Sequence, residues 1–239
     1  MSKNNILFIR GFGTDNIKTN GMLLKRKDNS SEYANIDIVL SQNVKNNMKY
    51  FSYSPDEDIV NVYKRLQKII KNTDFTHLVG HSMGGGLLMR YIYDHPDEIS
   101  KYKQVILLMP LVHKTRSNKL FFNIPFVKNL YLPNAIFLQS AKSYSRGNIV
   151  NDGFYFSKLK QPVEMYKEIM LESDEFVETL NENRSNTVLF YAREEGYTTI
   201  PKDVLKRIKN KVYVNGLHES FNSLETVKEF FVTFLPYLE

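Results

Sequence analysis

Six short runs of apolar, β-branched or aromatic residues recur along the chain, separated by longer segments in which apolar positions return with a helical period. Such runs are typical of strands that are buried on both faces of a sheet. The predicted strands are Asn5–Arg10, Met48–Tyr53, Phe75–Val79, Gln104–Met109, Thr187–Ala192 and Lys211–Asn215.

The clearest predicted helix spans Asp56–Lys71. Ser54, Pro55 and Glu57 stand in the order of an N-cap, a first-turn proline and a capping-box glutamate. The apolar residues of this segment recur on one face, which is expected to pack against the sheet. They are Ile59, Tyr63, Leu66 and Ile70.

Two further helices are predicted, over about Met83–His95 and about Leu224–Leu235. The first stops before Pro96, because a proline disfavours the helical conformation of the residue before it. The second has an inward face formed by Val227, Phe230, Phe231 and Phe234. Strands that alternate with helices predict the α/β class, with a mostly parallel sheet covered by helices on both faces.

Two stretches interrupt this alternation. Residues 17–47 contain polar turns and one short apolar piece, which predicts either a hairpin or an irregular excursion. Residues 111–184 form an insertion rich in aromatic residues, with a predicted helix over about Val163–Asn181. We expect it to pack as a cap or lid over the carboxyl edge of the sheet, although an ordinary satellite core would also use the aromatic residues. The predicted core then comprises residues 1–110 and 185–239.

The composition limits the possible partners. The 239 residues include 32 Lys and Arg against 26 Asp and Glu, a formal net charge of +6, which raises nucleic acids and anionic surfaces as partners. Most lysines are mixed with acidic residues, as on solvated surfaces, and no nucleic-acid recognition motif occurs. We therefore expect no nucleic-acid partner, and the sequence leaves the oligomeric state open.

Cysteine is absent, and the five histidines lack the spacing of a metal site, so neither a metal nor another cofactor is expected. No apolar run approaches the roughly 18 residues that cross a bilayer, and none resembles a signal peptide. We expect a soluble cytoplasmic protein without integral membrane association.

The segment Phe75–Leu88 is the most informative about chemistry, because a predicted strand runs through GHSMG at positions 80–84 directly into a predicted helix. This is the context of a G-x-S-x-G nucleophile elbow, in which a strained turn exposes a serine, here Ser82. Gly80 and Gly84 are expected where strand and helix approach most closely. A glycine-rich turn that serves packing or phosphate binding is the alternative, but no Lys-Ser/Thr pair follows the glycines as in a P-loop.

A serine hydroxyl becomes a good nucleophile only when a base accepts its proton. His218 is the candidate base, because it follows the last predicted strand and parallel strands converge on one edge at their carboxyl ends. His77 lies inside a strand, His81 lies in the elbow and is expected to point away from the nucleophile, and His95 lies at a helix end. His113 begins the insertion. The alternative for His218 is a surface histidine on a loop.

The elbow, the late histidine and the strand pattern resemble the α/β-hydrolase fold family, in particular serine esterases and lipases. The likeness covers the chain except residues 17–47 and the insertion. It implies an acid after the strand before the histidine strand, in a G-x-x-D pattern followed by a proline. Counting from Ala192 places the acid at Glu195, with Glu194 as the alternative, whereas counting back from Pro201 gives Tyr197 and requires an insertion. Both glutamates could also be exposed loop charges.

The resemblance also implies an oxyanion hole formed by the backbone N–H groups of Phe12 and Met83. Phe12 lies in RGFGTD, at the place where the family often has His-Gly. Arg10 stands in place of that histidine, a departure that bears on the support of the loop and leaves the backbone donors intact.

The function implied by the resemblance is serine hydrolysis of a small-molecule ester or related acyl compound, expected to be apolar, with Ser82, His218 and Glu195 as the triad. The sequence does not separate esters from thioesters, amides or carbon–carbon bonds, but epoxide and haloalkane hydrolysis would require Asp at position 82. A receptor-like, non-catalytic ligand-binding protein on the same scaffold is the alternative, which a missing acid or an occluded serine would favour. A protein that binds polyanions through its basic surface is a third possibility.

Overall fold

The computed structural model of the chain describes residues 4–11, 24–25, 32–35, 47–54, 56–112, 114, 120–132, 157–193, 195, 198–216, 218, 220–221 and 224–239. Its strands are β1 Asn5–Ile9, β2 Leu24–Lys25, β3 Glu32–Asn35, β4 Asn47–Phe51, β5 His77–His81, β6 Gln104–Leu108, β7 Tyr131–Leu132, β8 Ser157–Lys158, β9 Thr187–Ala192, β10 Lys211–Val214 and β11 Ser220–Phe221. Its α-helices are α1 Ile59–Lys71, α2 Met83–Asp94, α3 Lys160–Glu164, α4 Ser173–Glu182, α5 Lys202–Arg207 and α6 Leu224–Phe234. Short 3-10 helices span Pro96–Lys101, Val127–Asn129 and Leu235–Leu238, and a π-helical turn spans Met165–Ile169.

Six strands form the central sheet of the described chain, in the order β10-β9-β6-β5-β1-β4, and every neighbouring pair is parallel. Each predicted strand overlaps one of them. In β1, Leu7 and Ile9 face the side that carries α1 and α2, whereas Ile6 and Phe8 face the side that carries α6. Both faces of the sheet are therefore buried, and the predicted fold class is confirmed.

The apolar face predicted for α1 is buried, but the predicted start of this helix is wrong. The helix begins at Ile59, and its N-cap is Asp58, whose carboxylate accepts hydrogen bonds from the N–H groups of Val60 and Asn61. Ser54 and Glu57 instead form a turn that precedes the helix. The helix begins after Asp58 because an aspartate next to the first turn satisfies free N–H groups of the helix directly.

The single helix predicted over Val163–Asn181 is also wrong. The chain forms α3 and the π-helical turn, then leaves the helical conformation before α4 begins at Ser173. In the gap, the N–H of Leu171 donates to the carbonyl of Val112, and the N–H of Lys114 donates to the carbonyl of Leu171. The break lets the end of the insertion pair with its own beginning.

The described part of the insertion is anchored to the core. Gln161 is fully buried and its amide donates to the carbonyls of Ser54 and Glu57, at 2.6 and 2.7 Å. The Glu164 carboxylate accepts a hydrogen bond from the N–H of Ile59, the first residue of α1. Residues 133–156 lie outside the described residues, so the cap as a whole stays a prediction.

Of the two alternatives left open for residues 17–47, the hairpin agrees with the residues that the structure describes, whereas the short apolar piece lies outside them. β2 and β3 pair in antiparallel fashion, and β3 also pairs with β11, where Asn35 and Ala34 lie opposite Ser220 and Phe221. The hairpin therefore joins the chain that follows the last strand of the central sheet. Among the described residues, no helix has the length and hydrophobicity needed to cross a bilayer.

Candidate active site

Ser82 lies between β5 and α2 and has the backbone conformation that the elbow requires. Its φ of 55° and ψ of −121° are rare for a residue with a side chain. Its N–H donates to the carbonyl of Leu108 at 3.0 Å, and its carbonyl accepts from the N–H groups of Leu111 and Gly86, at 2.8 and 3.2 Å. These bonds to the end of β6 and to the first turn of α2 hold the strained turn in place.

The two elbow glycines lie at close approaches of the backbone. A Cβ at Gly80 would lie 2.7 Å from the carbonyl oxygen of Gly84. A Cβ at Gly84 would meet the carbonyl oxygens of Ile9 and Arg10, at the end of β1. Side chains at either position would push α2 away from the sheet and displace Ser82.

Three predicted site residues come together at the carboxyl edge of the sheet. The Nε2 atom of His218 lies 2.8 Å from the hydroxyl oxygen of Ser82, and its Nδ1 atom lies 2.8 Å from Oε2 of Glu195. Ser82 follows β5, Glu195 follows β9 and His218 follows β10, so three parallel strands of one sheet supply all three, with β6 between β5 and β9. The histidine is buried and the glutamate side chain is fully buried.

The carboxylate of Glu195 is held by a residue that sequence reasoning missed. The backbone N–H of Thr198 donates to Oε1 of Glu195 at 2.9 Å, while its hydroxyl donates to the carbonyl of Met109 at 2.9 Å. The same hydroxyl lies 3.5 Å from Nδ1 of His218. Thr198 therefore ties the loop that carries Glu195 to the end of β6. No motif in the sequence marks it, because its role depends on contacts with distant residues.

His81 contacts the backbone of His218. Its Nε2–H donates to the carbonyl of His218 at 2.9 Å, and the two imidazole rings lie 5.2 Å apart. Burial, followed by the nearby His218, lowers the pKa of His81 to about 3, so its ring is neutral and carries its proton on Nε2. His81, the residue before Ser82 in the chain, thus holds the loop that carries His218 through this hydrogen bond.

Only part of the predicted oxyanion hole lies within the described residues. Met83 is the first residue of α2, where backbone N–H groups lack partners within the helix. Gly11 lies beside Ser82, since a Cβ at position 11 would be 3.0 Å from Cβ of Ser82. Phe12, the next residue, lies outside the described residues, as does Glu194. Arg10 stacks its guanidinium over Tyr50, 4.7 Å from the ring centre.

The other histidines lie elsewhere. His77 begins β5, where burial, together with Lys103, lowers its pKa to about 4. His95 caps the end of α2 and lies 3.0 Å from the amide of Gln67. His113 lies outside the described residues.

Comparison with known proteins agrees with this architecture. The family model for the alpha/beta hydrolase fold matches residues 9–187. The solved structure of a monoacylglycerol lipase from Paleococcus ferrophilus has a TM-score of 0.60 and 15% identity, covering 98% of this chain and 93% of that one. A bromoperoxidase from Bacillus anthracis has a TM-score of 0.59 and 15% identity, covering 99% and 92%.

A variant of a haloalkane dehalogenase from Agrobacterium tumefaciens has a TM-score of 0.56 and 12% identity, covering 99% of this chain and 89% of that one. These three names span different chemistries, and at such low identity the likeness extends to the fold alone. No curated protein matches the chain in sequence.

Proposed function

The chain belongs to the α/β-hydrolase fold family, and on that premise we propose that it is a serine hydrolase that cleaves a carboxylic ester or a related acyl substrate. Family membership supports a hydrolytic activity in general. The observation that carries the finer proposal is the unbroken line of hydrogen bonds from Ser82 through His218 to Glu195, with both contacts at 2.8 Å.

In the first half of the proposed reaction, Ser82 attacks the acyl carbonyl. As the bond from Oγ to the carbonyl carbon forms, the hydroxyl proton passes to Nε2 of His218, and the carbonyl electron pair moves onto oxygen. Glu195 accepts the Nδ1–H of the imidazolium and stabilises its charge. The tetrahedral intermediate then collapses, and the leaving alkoxide takes the proton from Nε2 and departs as an alcohol.

In the second half, water attacks the acyl group on Ser82. His218 accepts a proton from the water, the second tetrahedral intermediate collapses, and the same proton returns to Oγ as the carboxylic acid leaves. In both halves the developing oxyanion would be stabilised by the N–H of Met83 at the start of α2 and by that of Phe12.

We propose an apolar acyl group on the basis of sequence. Nine aromatic residues lie between positions 121 and 156, within the insertion that we expect to cover this edge of the sheet. A missing acid or an occluded serine would favour the receptor-like alternative. The acid is not missing, because Glu195 lies within hydrogen-bonding distance of His218. The serine does favour it, because only 9% of the surface of Ser82 is exposed.

One experiment tests the proposal and separates it from this alternative. Purified protein is treated with a fluorophosphonate probe, the modified residue is mapped, and hydrolysis is measured on p-nitrophenyl esters of increasing acyl length. We expect labelling at Ser82, turnover that increases beyond the acetate, and loss of both in Ser82→Ala. The exposed Ser100 provides the matched control, Ser100→Ala, which should keep both.

Most of the activity remaining in Ser82→Ala would remove this serine from the mechanism. Ligand binding without labelling or turnover in the unmodified protein would favour the receptor-like function.

A further inference from the structure

The segment Leu120–Leu130 of the insertion carries a bare apolar surface, which we call the outer face. It consists of five side chains that are between 43% and 78% exposed. The described chain has eight large hydrophobic residues that are exposed, and five of them fall within these eleven positions. They are Leu120, Phe121, Ile124, Phe126 and Leu130.

The other side of the same segment is packed, which fixes how the outer face is presented. Val127 is buried against Leu159 and Val163, and Phe122 packs on this cluster. The ring of Phe122 also lies 5.4 Å from that of Tyr166. The segment is therefore anchored through its inner side chains, and the outer side chains project away from that contact.

Phe126 is the most unusual member of the outer face. Its φ of 75° is a left-handed conformation, which disfavours a bulky residue and suits glycine or asparagine. The N–H of Asn129 donates to its carbonyl at 2.8 Å, closing the turn. Its side chain is 78% exposed, so packing within the chain does not offset this strain. A strained position that displays an exposed aromatic ring indicates an external partner.

In the sequence, the charges that flank this segment are of one sign. Between Glu98 and Asp152 the sequence has eight Lys and Arg residues and no acidic residue. The remainder of the chain holds 24 basic residues, since 32 less 8 leaves 24, against 26 acidic ones. Two of the eight, Lys101 and Lys103, lie before β6 and bond to Glu98 and Asn4. The other six basic residues lie between positions 114 and 146, in the stretch that contains the outer face, and Lys128 is exposed within it.

We propose that the outer face docks on an anionic lipid surface. Bulky apolar side chains on a short turn can enter the boundary between headgroups and acyl chains, while lysines and arginines attract anionic headgroups. An acidic protein partner would match the charge, but it would bury the five side chains only with a complementary apolar pocket of its own. Docking of this kind is peripheral and does not depend on the proposed hydrolase activity.

The test is co-sedimentation of the full chain with lipid vesicles. One set is pure phosphatidylcholine, and the other contains about one third phosphatidylglycerol, so that they differ in charge. We expect binding to the anionic vesicles. This binding should weaken about tenfold at high salt, because screening removes the attraction. It should be weaker by a similar factor on neutral vesicles, which lack anionic headgroups. Absence of binding to anionic vesicles, or equal binding to both sets, would overturn the proposal.

Substitutions at the outer face give a sharper measure. The double variant Ile124→Asn and Phe126→Asn removes two apolar side chains, and asparagine tolerates the left-handed conformation of residue 126. We expect at least a tenfold loss of binding from the lost burial of apolar surface. The matched control is Val232→Asn, which removes a side chain that is 76% exposed on α6. It should bind as the unmodified protein does.

Charge is tested in the same way. Lys128→Glu should weaken binding to anionic vesicles severalfold, whereas Lys228→Glu, an exposed residue of α6, should have little effect. Circular dichroism shows whether each variant is folded. Equal losses for Lys128→Glu and Lys228→Glu, or full binding by the double asparagine variant, would show that the outer face is not the docking surface.

Discussion

Glu195 is the residue whose interpretation depends most on the three-dimensional structure. The sequence left two adjacent glutamates as candidates for the acid. Only Glu195 lies within the described residues, where its two carboxylate oxygens accept hydrogen bonds from His218 and from the N–H of Thr198. The side chain has no exposed surface, so its charge is stabilised by these contacts.

We expect Glu195→Gln to lower kcat strongly while Glu194→Gln has a mild effect. The amide keeps the size of the side chain but offers the imidazole the wrong hydrogen-bond partner. The corresponding loss in serine proteases is about 10⁴. Steady-state kinetics on a p-nitrophenyl ester measure both variants. Reversed effects would assign the acid to Glu194, and normal rates in both variants would mean that this loop supplies no acid.

His81→Phe tests whether the turn around Ser82 positions His218, the proposed base. The ring is retained, but the donor to the carbonyl of His218 is lost. Leaving a buried carbonyl without its partner costs about 1–3 kcal/mol. If that cost appears as misplacement of His218, kcat should fall by roughly 10- to 100-fold.

The control is His77→Phe at the other end of β5, a buried histidine whose side chain hydrogen-bonds to Thr76. It should change stability in urea unfolding and leave kcat nearly intact. Equal kcat losses in the two variants would mean that His81 has only a structural role.

The sequence was most informative where one residue type has few uses. A glycine-flanked serine between a strand and a helix, and a histidine after the last strand, are recognisable from local order alone, and the structure brings Ser82 and His218 together. Thr198 was not predictable, because a threonine in a loop has many possible partners and its contacts to Glu195 and Met109 arise only in the folded chain.

At the scale of elements, the start of α1 shows why helix boundaries were harder to predict than helix faces. The buried face follows from the spacing of its apolar residues. The first residue depends on which donors find acceptors. Here the N–H of Ile59 bonds to Glu164, which lies 105 residues further along the chain. A local pattern such as Ser54 to Glu57 does not carry this information.

The contacts between Gln161 and the loop before α1 predict how strongly the insertion is attached to the core. Gln161→Met keeps the approximate volume of a buried side chain but removes both donors to the loop before α1. We expect a loss of about 1–3 kcal/mol in the free energy of unfolding, because two carbonyls lose their buried partner.

Urea unfolding followed by circular dichroism measures the loss at Gln161. The control is Gln104→Met at the start of β6, a half-buried position where we expect a change within about 0.5 kcal/mol. A loss at Gln161 no larger than this would contradict the proposed anchoring role.

At the scale of the whole molecule, two buried histidines make stability depend on pH. The pKa values of His77 and His81 fall to about 4 and about 3 in the folded protein, from an ordinary value of 6.5. As the pH drops below 6.5, the unfolded chain binds protons at these positions and the folded chain does not. Their stabilising contribution is therefore complete above pH 6.5 and is lost progressively towards pH 4 and pH 3.

We expect the free energy of unfolding to fall between about pH 7 and pH 4.5, by up to about 1.4 kcal/mol per pH unit for each histidine. Urea titrations across this range measure the slope. His77→Gln should make the dependence of the free energy of unfolding on pH shallower, because only one of the two buried histidines is then left to bind a proton on unfolding. An unchanged slope in that variant would show that His77 titrates alike in the folded and unfolded states.

The order in which the proposed catalytic residues occur along the chain has a consequence for biosynthesis. His218 follows Ser82 by 136 residues. At 5–20 residues per second, a ribosome needs on the order of ten seconds to add them. During that interval the nascent chain can form the turn around Ser82 but has no base to activate it. On the proposed mechanism, hydrolysis can begin only after the sheet has gained its last strand, so the first turnover reports that the strands before Ser82 and His218 have assembled into one sheet.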